Sequence, residues 1–130
     1  ADMIYPWGND APNCSLAQYR GDDEEFFSLN TGVGPVCSTP NGNTAQGICD
    51  FAGNVYEWTL DEWHESYTGA PNDGSAWCSS ENCINPQARR VVRGGAWSSA
   101  AQYITVTRRG NNQTEDQISS VGARLVRSVE

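Results

Sequence analysis

Gly47-Ile48-Cys49-Asp50-Phe51-Ala52-Gly53-Asn54-Val55-Tyr56-Glu57-Trp58-Thr59 joins two kinds of backbone. Its first part is a Gly/Asn turn flanked by carboxylates. From Asn54 to Trp63 the pattern changes: Tyr56, Trp58 and Leu60 alternate with Glu57, Thr59 and Asp61, the period of two expected of a half-buried strand. Upstream, Thr31 to Gly47 carries Gly32, Gly34, Pro35, Pro40 and Gly42, which reads as a chain of turns. Further back, Pro6, Gly8 and Pro12 precede an acidic run, Asp22-Asp23-Glu24-Glu25, closed by Phe26-Phe27, and this whole stretch reads as irregular.

Downstream, Tyr67 to Pro86 has loop composition. Arg89-Arg90-Val91-Val92-Arg93 favours a strand, and Gly94-Gly95 after it signals a bulge or a close backbone approach. Tyr103-Ile104-Thr105-Val106-Thr107, β-branched and aromatic, reads as a third strand, and Gly110 to Ser120 as turns. Val121 to Arg127 reads as a last strand with Leu125 or Val126 facing inward.

The 130 residues suffice for one domain, 1–130, around one core. A hydrophobic fraction of 38% with 13 Gly, 6 Pro and 5 Trp suits a loop-rich fold anchored by a few large aromatic residues rather than by long helices. Eight Lys+Arg against 16 Asp+Glu give a net charge of −8, a field that argues against nucleic acid and anionic membrane surfaces as partners. The surplus carboxylates are either a solvated surface or a supply of hard oxygen ligands for Ca²⁺. No apolar run reaches membrane-spanning length, and no signal peptide is present, so export implies that a targeting segment has been removed.

Five cysteines in so short a chain argue for an oxidising compartment. A zinc site is disfavoured, because no C-x-x-C occurs and His64 is the only histidine. Proximity pairs Cys37 with Cys49 across a Gly/Asn-rich stretch, and Cys78 with Cys83 within a polar loop. Cys14 is then left over: a partner outside the chain, a free thiol and a different pairing all remain open.

The opening stretch, then Arg93-Gly94-Gly95-Ala96-Trp97, then Val121-Gly122-Ala123-Arg124-Leu125-Val126, together resemble in this order the formylglycine-generating-enzyme, or sulfatase-modifying-factor, family. Tyr5-Pro6-Trp7-Gly8-Asn9 is similar to that family's entry into its second half. The resemblance implies an α+β, C-type-lectin-like fold with much ordered loop. It also implies that a preceding stretch, or a second polypeptide, completes the core, so that the domain is incomplete at its N-terminus.

The resemblance further implies calcium held by Asp50, Gly53, Val55 and Glu57, a chemically sensible set because Ca²⁺ readily uses main-chain carbonyls beside carboxylates. The same residues admit plainer roles, with Asp50 capping a turn and Glu57 pairing with an arginine. A second calcium position, drawing on Gln18, Tyr19 and Asp22 or Asp23, aligns poorly and competes with a solvated acidic loop. The family's two copper-binding cysteines fall on Ser99 and Ile104, and a serine after the glycine pair falls on Ala96. The enzyme branch resembling sulfoxide synthases holds iron with several histidines, which this chain lacks.

The expectation is therefore a non-catalytic, calcium-stabilised, lectin-like binding or structural module, secreted, periplasmic or at the cell surface, recognising a peptide, protein or glycan. Trp97, Tyr103, Arg108 and Asn111 are its candidate ligand contacts, planar donors beside aromatics. The simpler alternative for adjacent Arg108 and Arg109 is one inward salt bridge and one solvated charge. Two further expectations compete. One is a family enzyme whose active site a missing half completes, and the other is a variable receptor-binding protein.

Overall fold

The computed structural model describes residues 2–21 and 32–126. The acidic run 22–25 and the Asp22/Asp23 calcium position lie outside the described residues.

Four strands form one sheet: β1 (Tyr56–Glu62), β2 (Arg89–Arg93), β3 (Gly110–Gln113) and β4 (Val121–Gly122), in the spatial order β3-β2-β1-β4. β1 and β2 are antiparallel, with Trp58 opposite Val92 and Glu57 opposite Arg93, and a register irregularity follows between Trp58 and Glu62. β2 and β3 are antiparallel with Val92 opposite Gly110, while β4 runs parallel to β1 with Glu57 opposite Gly122. Helical structure among the described residues is confined to three 3-10 turns, Pro40–Gly42, Glu81–Cys83 and Ala101–Tyr103. The frequent Gly, Pro and Asn leave no apolar stripe long enough to nucleate more.

Val91 and Val92 of β2 are buried, as their branched side chains favour. A second buried cluster joins Ala17, Tyr19, Ala52 and Ile104, with Tyr5, Trp7 and Ala101 packed against it. Trp7 stacks on Tyr5 with ring centroids 5.0 Å apart, and its indole N–H donates to the Asp10 carbonyl. The core is thus made of small residues and a few rings, and it leaves Leu60, Ile84, Leu125 and Val126 between 71% and 97% exposed.

Three strand expectations change. Residues 103–107 are not a strand: Ile104 is drawn into the core at the end of a 3-10 turn, so packing overrides β-propensity. The third strand lies instead in the polar Gly110–Gln113, where pairing with β2 supplies the hydrogen bonds that composition does not suggest. In the last segment Leu125 and Val126 face solvent, and Arg124 turns inward. Along β1, Leu60 is exposed while the buried Glu62 follows the irregularity, so the alternation does not sort into an apolar and a polar face.

Candidate metal centre

The segments that carry the sequence signal meet around the turn before β1. Gly53 approaches Gln18 so closely that an added Cβ would lie 2.3 Å from the Gln18 carbonyl oxygen, and its φ of +82° suits glycine. Its N–H donates to the Gly94 carbonyl. The next residue, Asn54, sits at φ +62° and is 4% exposed. Its side chain clasps residue 34 twice, accepting from the Gly34 N–H at 3.0 Å and donating to the Gly34 carbonyl at 3.3 Å. The Asn54 backbone binds on both sides, with N–H to the Gln18 carbonyl and carbonyl from the Trp97 N–H.

Both expected disulfides are formed. Cys37–Cys49 has its Cα atoms 5.1 Å apart, and Cys78–Cys83 has them 5.2 Å apart. Cys14 is exposed and unpaired within the chain. The first bridge borders a hollow of about 260 Å³ lined by Asp50, Gly53, Val55 and Glu57 together with Asn54 and Arg124. All four residues expected to bind metal therefore reach one concavity. Asp50 Oδ2 accepts from the Cys37 N–H at 2.6 Å. Glu57 is forked by Arg124, whose Nε lies 2.9 Å from Oε2 and whose Nη2 lies 2.6 Å from Oε1. Arg124 also donates to the Cys49 carbonyl.

The donor set suits a hard divalent cation. Among the described residues, the Gly53 and Val55 carbonyls accept no hydrogen bond, and Asp50 Oδ1 is uncommitted. The Cys37 and Cys49 sulfurs lie beside the Asp50 carboxylate, but as a disulfide they offer no thiolate. Arg124 is the one unfavourable feature, since its guanidinium already neutralises Glu57. The sequence admits an arginine partner for Glu57 but does not say which arginine; Arg124 is the only charged residue in the third family segment.

At the positions where the resemblance places copper ligands, Ile104 is 1% exposed within the core and has no ligating atom. Ser99 Oγ accepts from the Ala96 N–H at 3.0 Å and donates to Tyr56 Oη at 3.3 Å. Of the expected ligand contacts, Arg108 lies over the Tyr103 ring at 4.8 Å. Asn111 lines a different hollow with Tyr56, Val92 and Gly110, and among the described residues neither it nor Trp97 touches the Tyr103–Arg108 pair through a hydrogen bond or ring contact. No helix among the described residues is long and apolar enough to cross a membrane.

Residues 1–129 match the sequence model of the sulfatase-modifying factor enzyme 1-like domain. Hercynine oxygenase of Mycolicibacterium thermoresistibile is 29% identical over 97% of the chain. Inactive C-alpha-formylglycine-generating enzyme 2 of Bos taurus is 28% identical over 94% of it. The solved structure of PvdO from Pseudomonas aeruginosa superposes with a TM-score of 0.69 at 27% identity over 94% of the chain. The chain spans 27% and 36% of those two relatives and 50% of the PvdO chain.

Proposed function

The chain belongs to the sulfatase-modifying factor enzyme 1-like family, and from that premise we propose that it acts as a non-catalytic, calcium-stabilised binding or structural module. The observation that carries this reading is the contrast between its two sets of family positions. The turn contacts around Gly53, Asn54, Glu57 and Trp97 are formed, whereas the positions expected to hold copper carry a core isoleucine and a hydrogen-bonded serine. A likeness to an inactive relative as well as to an oxygenase is compatible with such a loss.

Asp50, Gly53, Val55 and Glu57 would hold the calcium, which when bound supplies positive charge to an oxygen-lined turn. Within the chain, the Cys37–Cys49 bridge and the Cys37 N–H on Asp50 hold the turn in place, and the calcium would share Glu57 with Arg124. Two disulfides support export to an oxidising compartment, whether secreted, periplasmic or at the cell surface. The ligand class is a peptide, protein or glycan, met in part through Tyr103 and Arg108. Exposed Leu60, Ile84, Leu125 and Val126 favour a further polypeptide segment packing against this one.

The competing reading is a family enzyme completed by such a segment, and it is favoured by the oxygenase among the relatives. Metal analysis of purified protein separates the two. One equivalent of calcium without a transition ion is the expected result, and stoichiometric copper or iron retained through purification overturns it.

A further inference from the structure

All eight cations of this chain are arginine, and among the described residues only Arg124 has a carboxylate within ion-pair distance. Two of the others, Arg93 and Arg109, meet at one tyrosine. The β2–β3 register ends with Val92 opposite Gly110, and Arg93 and Arg109 are the residues that follow and precede that pair in the chain. Two like charges brought to one side chain repel. Both converge on Tyr67, in the loop after β1. Arg93 Nη2 donates to Tyr67 Oη at 3.0 Å, and the Arg109 guanidinium lies 4.1 Å from the centre of the same ring and 4.7 Å from that of Trp63.

The remaining contacts of the pair are neutral. Arg93 donates to the Val106 carbonyl at 3.3 Å and Arg109 to the His64 carbonyl at 3.1 Å. Nearby carboxylates are committed elsewhere. Glu57, the cross-strand neighbour of Arg93, is forked by Arg124, and Glu65 accepts from the Trp63 indole. Ring faces and carbonyls hold the two guanidinium planes in place but bring no negative charge. Tyr67, which both contact, is 57% exposed, and Arg93 and Arg109 are half-buried, which leaves the group open to solvent on one side.

We propose that Arg93, Arg109 and Tyr67 form a binding site for the carboxylate groups of an acidic peptide segment. Planar guanidinium forks fixed by backbone carbonyls and aromatic faces are preorganised for bidentate carboxylate recognition, and an anion seated there relieves the repulsion between them. The proposal names a ligand class for the binding module, and in that sense rests on that reading. The site shares no residue with the metal hollow, although Arg93 lies opposite Glu57 across β1 and β2.

The test is calorimetric titration of the purified chain with a tetraglutamate peptide at low ionic strength. Saturable binding is expected, weakened at least about tenfold by Arg93→Gln or Arg109→Gln and unchanged by Arg89→Gln, a nearby exposed arginine on the same strand. Arg109→Lys keeps the charge but loses the fork, and is expected to weaken binding as well. Should a glutamine variant fail to fold by circular dichroism, the lysine variant decides. Absence of saturable binding, equal loss in Arg89→Gln, or tighter binding of inorganic phosphate overturns the proposal. Calcium-dependent melting measured on the Arg109 variants, which do not neighbour Glu57, stays at the wild-type value, so failure here is distinguishable from failure of the module reading.

Discussion

Arg124 and Glu57, 67 positions apart in sequence, meet in a two-pronged ion pair that ties the chain beyond β4 to the start of β1. Hydrogen bonding to Glu57, opposed by partial burial and aided by the charges of Glu57 and Asp50, raises the Arg124 pKa. The pair is only partly shielded, with side-chain exposures of 32% and 24%, so its contribution is discounted for solvent screening. Arg124→Ala is expected to cost about 1–2 kcal/mol in denaturant unfolding. Arg124→Lys recovers little of that, because an ammonium cannot reproduce the fork together with the bond to the Cys49 carbonyl.

Asn54 combines a left-handed backbone with two side-chain bonds to Gly34 in a buried position. Asn54→Ala strands the Gly34 amide and carbonyl and places alanine at positive φ. We expect a loss of about 2–4 kcal/mol by urea denaturation. Asn54→Asp keeps the acceptor for the Gly34 N–H and is expected to lose less.

Gly53→Ala sets a methyl group against the Gln18 carbonyl at the same turn. With the positive φ added, the cost exceeds about 2 kcal/mol, measured as a lowered urea midpoint. Gly8→Ala also has positive φ but nothing within 4 Å of the new Cβ, and it costs only about 1 kcal/mol.

The disulfides differ in the loops they close. Cys37–Cys49 spans 12 positions and Cys78–Cys83 spans 5. In the chain-entropy model, replacing the first pair by serine costs about 3 kcal/mol and replacing the second about 2 kcal/mol. Melting of the two double variants checks both the size and the order.

Glu62 gives the chain an acid-sensitive element. Burial alone would raise its pKa, but the Ser79 hydrogen bonds, with Arg90 and His64 nearby, outweigh that and hold it below 4.5. A depressed folded pKa contributes stability that is present above the unfolded value and lost as pH falls through the folded one. Glu62→Gln is therefore expected to flatten the loss of stability below about pH 4.5. An unchanged acid limb of the stability profile contradicts this.

What the sequence discloses and what it hides follow from which interactions decide each element. β1 and β2 are legible because Tyr56, Trp58, Val91 and Val92 carry their own preference for strands. β3 is not, because Gly110-Asn111-Asn112-Gln113 becomes a strand only through its partner. Ile104 misleads in the other direction: its β-branched neighbourhood suggests a strand, yet the contact that matters is with Ala17, Tyr19 and Ala52, far away in sequence. At the candidate metal site, the gathering of Asp50, Gly53, Val55 and Glu57 follows from a short local motif. The Arg124 fork and the Cys37 N–H on Asp50 do not, since each joins positions that only the folded chain brings together. The meeting of Arg93 and Arg109 at Tyr67 is hidden for the same reason, because it joins three separate stretches of the chain.

The calcium dependence of thermal unfolding bears most directly on the account. A ligand that binds only the folded state raises its stability with the logarithm of free concentration above the dissociation constant. Metal-stripped protein is expected to melt progressively higher as calcium is added, with Asp50→Ala shifting or abolishing the response. A melting temperature indifferent to calcium and chelator alike contradicts the account.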